Sequence, residues 1–300
     1  EEPAALAMAV EKAKETDAEL VMASDPDADR VGAAVKNNEG EWVLLNGNQT
    51  ALMFVYYLII RWKELGKING KEYIVKTIVT TETIKTIAER NGVEMYDVYT
   101  GFKWIANVMR ENEGKKNYIG GGEESYGFLC EDFVRDKDAV SACVILAEIA
   151  AWAKDQGLSL YQLLQKIYVE YGFSKEKGIS VVKKGKSGAE EIEAMMKKFR
   201  ENPLTEIAGS KVTYFYDYST LKGKDYAENE TVTLDMPTTS NVLQYFTEDN
   251  TKVSIRPSGT EPKIKFYCEV HSKVKSIDEL PEAEKAAEEK INQIKASIGI

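Results

Sequence analysis

The chain has 300 residues, 43% hydrophobic and 29% charged, with a net charge of −10. That balance is ordinary for a globular protein and argues against a nucleic-acid footprint. The longest apolar run, residues 51–60, is far too short to span a bilayer, so no membrane role is expected. Three cysteines (Cys130, Cys143, Cys268) form no C-x-x-C pair, and Glu1-Glu2-Pro3 is no leader peptide, which points to a reduced, cytoplasmic setting.

In chain order, residues 4–15 read as an alanine-rich helix and 20–23 as a short strand. Strands at 31–36 and 41–45 flank the turn Asn37-Asn38-Glu39-Gly40, and Asn46-Gly47-Asn48-Gln49-Thr50 opens a long apolar helix through residue 62. A strand–helix rhythm follows: strands at 73–79, 94–99 and 117–120, helices at 82–90, 103–112, 138–154 and 160–170. This βαβ order predicts a mostly parallel sheet with covered faces. From about residue 173 the pattern becomes α+β. A helix at 187–200 precedes strands at 211–217, 231–234, 241–246, 252–255 and 263–270, which predict an antiparallel sheet, and a helix at 277–294 closes the chain. The fold class expected is therefore α/β followed by an α+β C-terminal domain, with boundaries placed at 1–45, 46–172 and 173–300.

Five segments carry candidate chemistry. In Ser24-Asp25-Pro26-Asp27-Ala28-Asp29-Arg30, three carboxylates alternate after a strand, so their oxygens can converge. Three such charges suit a hard divalent cation, for which Mg²⁺ is the natural choice. An EF-hand is excluded, because Arg30 stands where its glycine belongs and Lys36 where its glutamate belongs. A solvated acidic turn is the plain alternative.

In Gly121-Gly122-Glu123-Glu124-Ser125-Tyr126-Gly127, Glu123 and Ser125 share a side if the segment is extended, and together suit sugar hydroxyls. Its alternative is a strand-to-helix turn with a capping serine. Arg256-Pro257-Ser258-Gly259-Thr260-Glu261-Pro262 offers a bidentate cation, two hydroxyls and turn amides to a phosphate, with Lys263 and Lys265 nearby. A simple turn would not need Arg, Ser and Thr together. Thr100-Gly101-Phe102-Lys103 opens a helix and is a modest anion site; Arg135-Asp136-Lys137-Asp138 adds cations. Either is equally read as solvated charge.

Together, D-P-D-A-D-R, T-G-F-K, G-E-E-S-Y-G and R-P-S-G-T-E-P, in that order, resemble the α-D-phosphohexomutase superfamily. N-G-N-Q-T, F-V-R-D-K-D-A and R-P-S-G-T-E-P-K-I-K-F-Y bring the resemblance nearest to the phosphoglucomutase branch that also contains phosphopentomutases. It covers essentially the whole chain. It implies Mg²⁺ on Asp25, Asp27 and Asp29, with Arg30 near a phosphoserine and Lys137 as a nearby cation. It implies substrate orientation by Thr100, Gly101 and Lys103, sugar hydroxyls on Glu123 and Ser125, and a phosphate on Arg256, Ser258, Gly259 and Thr260. The implied reaction interconverts hexose 1- and 6-phosphates through a bound 1,6-bisphosphate, with phosphomannomutase or phosphopentomutase activity as the alternative. A non-catalytic sugar-phosphate binding module is the competing class, and an aspartyl phosphatase a weaker one.

The sequence departs from the family at its nucleophile. No serine here is followed by His-Asn-Pro, and the one histidine is His271. Only 24 residues precede the Asp loop. The chain is therefore expected to be a C-terminal portion: the end of domain 2 (1–45), domain 3 (46–172) and domain 4 (173–300). Its missing partner would be the N-terminal domains of the same polypeptide, and these residues alone would not be a competent mutase.

Overall fold

The computed structural model of the chain describes residues 2–183 and 185–300. Glu1, part of the terminus read above, lies outside the described residues. Contacts divide the chain into two compact units, Glu1–Gly172 and Phe173–Ile300.

The first unit holds two sheets. Helix α1 (Pro3–Glu15) precedes strands β1 (Leu20–Ser24), β2 (Val31–Lys36) and β3 (Trp42–Leu45), an antiparallel sheet in that order. Leu6 and Ala13 of α1 pack on Val21 and Ala34 of this sheet. Helix α2 (Gly47–Glu64) begins at a capping box: Asn46 accepts the Gln49 N–H while the Gln49 side chain accepts the Asn46 N–H. The apolar run of the sequence is this helix, buried almost all round from Gly47 to Ile59. That is why it shows no clean polar face.

Strand β4 (Glu72–Thr77), helix α3 (Thr83–Arg90), β5 (Glu94–Val98), helix α4 (Phe102–Asn112), β6 (Asn117–Gly122) and β7 (Phe128–Cys130) build the second sheet, in the order β5-β4-β6-β7. The first two pairings are parallel, and β7 runs antiparallel to β6. Tyr73, Val75 and Tyr118 of the sheet meet Phe102, Ile105 and Met109 of α4 in one apolar cluster. Helix α5 (Ala139–Asp155) packs on both β1 and β7, tying the two sheets together, and α6 (Leu160–Tyr171) closes the unit.

The second unit is an antiparallel sheet. Its elements are β8 (Phe173–Val182), α7 (Gly185–Glu201), β9 (Glu206–Ile207), β10 (Ser210–Asp217), β11 (Lys222–Asp225), β12 (Glu230–Thr233), β13 (Leu243–Thr247), β14 (Lys252–Pro257) and β15 (Lys263–Ser272). A 3₁₀ turn (Ile277–Glu279) leads into α8 (Leu280–Ile298). The strand order is β12-β11-β10-β13-β14-β15-β8, with β9 pairing only β10. Helix α8 buries Ala287, Ile291, Ile294 and Ile298 and packs on β15 and β8, while Phe199 of α7 meets Phe266 edge-on.

The fold is thus α/β with mostly parallel strands in the sheet β5-β4-β6-β7, then α+β with an antiparallel sheet. Strands β7, β8, β9 and β11 lie outside the strands read from sequence. The closing helix begins three residues later than read and runs to Ile298, because the Ile277–Glu279 turn is 3₁₀.

Candidate functional site

The Asp loop is a tight turn between β1 and β2, closed by the Asp25 N–H donating to Arg30 O at 3.2 Å. Asp25 organises it from inside. Its Oδ1 accepts the N–H groups of Asp29 and Arg30, both at 3.0 Å, and its Oδ2 accepts Arg30 Nε at 2.7 Å. Burial alone would raise the Asp25 pKa, but the Arg30 and Asp29 donors outweigh it. The carboxyl is held well below its ordinary range and stays ionised. Asp27 is exposed and Asp29 half-buried.

One oxygen from each of Asp25, Asp27 and Asp29 can be chosen so that all lie within 4.8 Å of one another. Mg²⁺–oxygen bonds of about 2.1 Å place adjacent ligands about 3.0 Å apart and opposite ones about 4.2 Å, so the trio would draw together to share one ion. The donors are all hard oxygens with no His or Cys among them, which fits Mg²⁺ and not a zinc site.

Two tethered cations face this trio. Arg30 Nε lies 3.7 Å from Asp29 Oδ1 as well as bonding Asp25. Lys137 pairs directly with Asp29 Oδ2, bridging 108 positions of sequence. Burial would lower the Lys137 pKa, but the bond to Asp29, with the charges of Glu123 and Asp136, raises it. The ammonium therefore stays charged at neutral pH.

Backbone bonds stitch the loops together. Val31 N–H donates to Tyr126 O at 3.1 Å, and Ala139 N–H to Ala28 O at 3.0 Å. Both acceptors, Ala28 (φ 58) and Tyr126 (φ 72), are non-glycine residues in the left-handed region. Such strain costs on the order of 1 kcal/mol each and is held by the surrounding structure. Here it turns each carbonyl toward its donor.

The Glu-Ser segment is a β-hairpin turn between β6 and β7, neither an extended run nor a strand-to-helix turn. The condition for Glu123 and Ser125 to share a side is thus not met. Glu123 is buried and turns inward, accepting the Gly101 N–H at 2.7 Å, while Ser125 is exposed. This bond joins the G-E-E-S loop to the T-G-F-K loop, and Glu123 supplies the anion at the α4 N-terminus. Thr100 is half-buried beside it. Lys103 lies over the Trp104 ring at 5.1 Å and, with Asn107, Arg110 and Arg135, lines a groove of about 400 Å³.

Sequence reasoning missed what holds the hairpin turn. Thr80, fully buried, bonds Thr77 Oγ1 at 2.8 Å and accepts the Glu124 N–H at 3.2 Å. Thr77 also donates to Glu124 Oε2 at 3.2 Å, and Asn48 accepts the Thr81 N–H at 3.0 Å. Gly47 sits so close that a Cβ there would stand 2.0 Å from Glu124 O. Buried hydroxyls after β4, in Thr77-Ile78-Val79-Thr80-Thr81, were the available signal.

In the second unit, residues 258–262 join β14 to β15. Ser258 Oγ accepts the N–H groups of Thr260 and Glu261 at 3.4 and 3.3 Å, while its own N–H donates to Lys263 O at 2.7 Å. Ser258, Gly259 and Thr260 border a cavity of about 1020 Å³ opposite Ile192, Met196 and Arg200 of α7. Arg256, half-buried on β14 opposite Lys265, is not part of that lining.

Comparison with known proteins agrees with this architecture. Residues 46–171 match the model described as "Phosphoglucomutase/phosphomannomutase, alpha/beta/alpha domain III", and residues 180–287 match its "C-terminal domain". The chain belongs to the phosphoglucomutase/phosphomannomutase family. It is 34% identical over 271 residues to a phosphoglucomutase of Staphylococcus haemolyticus, covering 90% of this chain and 48% of that protein. To a phosphoglucomutase of Staphylococcus aureus strain MRSA252 it is 38% identical over 267 residues, covering 89% and 47%. The chain spans about half the length of the curated relatives it matches.

Two solved structures share the fold. A family protein of Burkholderia thailandensis has a TM-score of 0.61 at 19% identity, with 99% of this chain and 50% of that one covered. The phosphoglucomutase parafusin of Paramecium has a TM-score of 0.59 at 18% identity, covering 94% and 46%. Among the described residues, no helix is long and apolar enough to cross a membrane.

Proposed function

We propose that this chain is the metal- and sugar-phosphate-handling part of a phosphoglucomutase-type enzyme that interconverts hexose 1- and 6-phosphates. The observation that carries the reading is the convergence of Asp25, Asp27 and Asp29 on one point, faced by Arg30 and Lys137. In this reading residues 1–45 correspond to the end of the family's domain 2, 46–172 to domain 3 and 173–300 to domain 4. The phosphoserine comes from outside these 300 residues, and the chain alone is not a competent mutase.

Asp25, Asp27 and Asp29 would hold Mg²⁺, which when bound neutralises charge on the transferring phosphoryl group. Asp25 keeps its place because two backbone N–H groups and Arg30 fix its carboxylate. Arg30 and Lys137 supply positive charge at the same point. Ser125 and the second oxygen of Glu123 meet sugar hydroxyls, with Glu123 aimed by Gly101 and the loop of Thr100 and Lys103 alongside. Arg256, Ser258, Gly259 and Thr260 take the phosphate that is not being transferred. A loop that offers a guanidinium and hydroxyls accepts either end of a hexose 1,6-bisphosphate, because it reads the phosphate and not the sugar.

Calorimetry with glucose 1-phosphate, on the parent and on Arg256→Ala, tests the phosphate loop. The reading expects at least tenfold weaker binding by the variant, as for a lost charge-assisted contact of about 1.5–3 kcal/mol. Equal affinities refute it.

A further inference from the structure

Lys137 reaches Asp29 by a path that only a glycine leaves open. Its stem lies across Gly127: a Cβ there would stand 2.3 Å from Lys137 Cδ and 3.4 Å from its Cγ and Cε. Gly127 is not among the glycines with positive φ, so backbone conformation does not call for glycine here. Space for the lysine does. The Gly127 carbonyl accepts the Glu123 N–H at 2.8 Å, which fixes the glycine against the hairpin.

We propose that Lys137 is a tethered cation that competes with the divalent metal for Asp29, and that Gly127 is the positioning residue that gives it reach. The proposal rests on the reading of the Asp trio as a metal site. Asp25 has little room for exchange, since its Oδ1 takes two N–H groups and its Oδ2 takes Arg30. Asp29 Oδ2 is where the ammonium sits, and a metal ion would draw on the same carboxylate. Two cations close together on one carboxylate repel, so each weakens the other's hold. With a metal bound there, the ammonium would stay tethered beside the carboxylates, available to an incoming phosphate oxygen. The pair thus sets the metal affinity of the site and couples it to the arrival of phosphate.

The test is a calorimetric titration of the full chain with MnCl₂, on the parent, Lys137→Met, Gly127→Ala and Lys154→Met. Lys154 pairs with exposed Glu19, so its variant measures the effect of losing one remote positive charge. Gly127→Ala leaves net charge unchanged and moves only the lysine stem. Lys137→Met is expected to bind Mn²⁺ about tenfold more tightly and Gly127→Ala about threefold to tenfold, as for loss of one charge-assisted contact. Lys154→Met is expected to change affinity less than about twofold. Gly127→Ala binding like the parent overturns the proposal, as does Lys137→Met binding no tighter than Lys154→Met. The Lys137→Met comparison decides alone if Gly127→Ala loses its far-ultraviolet dichroism. If the parent and all variants bind no Mn²⁺, the metal reading fails, and the competition with it. If the parent binds and the variants match it, only the competition fails.

Discussion

Replacing Lys252 by methionine should destabilise the second unit by an amount that grows with pH. Lys252 and Glu269 are 1% and 2% exposed, and their charged atoms lie 2.9 Å apart. His271 Nε2 lies 2.8 Å from Glu269 Oε1, in a geometry that favours charge attraction over a linear hydrogen bond. Removing one partner of a buried pair costs about 3–5 kcal/mol, because the remaining charge is left in a poor solvent. Here the imidazolium can still offset the carboxylate. Burial would lower the His271 pKa, but the charge of Glu269, with that of Glu176, raises it. A group with a raised folded pKa contributes stability below its unfolded pKa, near 6.5, and loses it as pH rises through the folded value. Glu269 has the opposite sign. Burial opposes its charge, but Lys252 and His271 lower its pKa, so its contribution is present at neutral pH and fades only in acid. Lys252→Met should therefore cost about 3 kcal/mol near pH 6 and about 5 kcal/mol near pH 9. Urea unfolding followed by dichroism and tyrosine emission measures it. All four tryptophans (Trp42, Trp62, Trp104, Trp152) lie in the first unit, so their emission reports that unit separately. A loss below about 1 kcal/mol, or one equal at both pH values, would refute the reasoning.

Gly47→Ala forces a Cβ to within 2.0 Å of the Glu124 carbonyl, and should cost about 1–3 kcal/mol in tryptophan-monitored unfolding. Thr80→Val keeps the shape but leaves the Glu124 N–H without its hydroxyl acceptor, for a loss of about 1–3 kcal/mol that Thr80→Ser should largely restore. The lowered pKa of Asp25 means its carboxylate stabilises the first unit above about pH 4, and this stability is lost as pH falls. Acid unfolding of Asp25→Asn should accordingly show a shallower slope below that pH than the parent.

Much of this architecture is legible in the sequence where local chemistry and burial agree. The helix that opens at Asn46 and the parallel strands β4, β5 and β6 are examples. The strands that escaped were those whose pairing, and not their composition, makes them strands. The β8 run Phe173-Ser174-Lys175-Glu176-Lys177-Gly178 is polar because it is an edge strand, and charge there discourages pairing with other chains. Strand β7 has three residues, too few for a period to show. In the Asp loop, alternation marked the three carboxylates. It did not reveal that Asp25 is spent largely on its own loop while Asp27 remains exposed. The inward turn of Glu123 to Gly101 and the crossing of Lys137 over Gly127 join segments far apart in sequence, and no local pattern records them.

A Mg²⁺ titration of the parent and of Asp27→Asn tests the metal site most directly. Asp27 is exposed, so the substitution removes a candidate ligand with little structural cost. The parent is expected to bind saturably and the variant at least tenfold more weakly. Equal affinity in the two proteins would contradict the metal site.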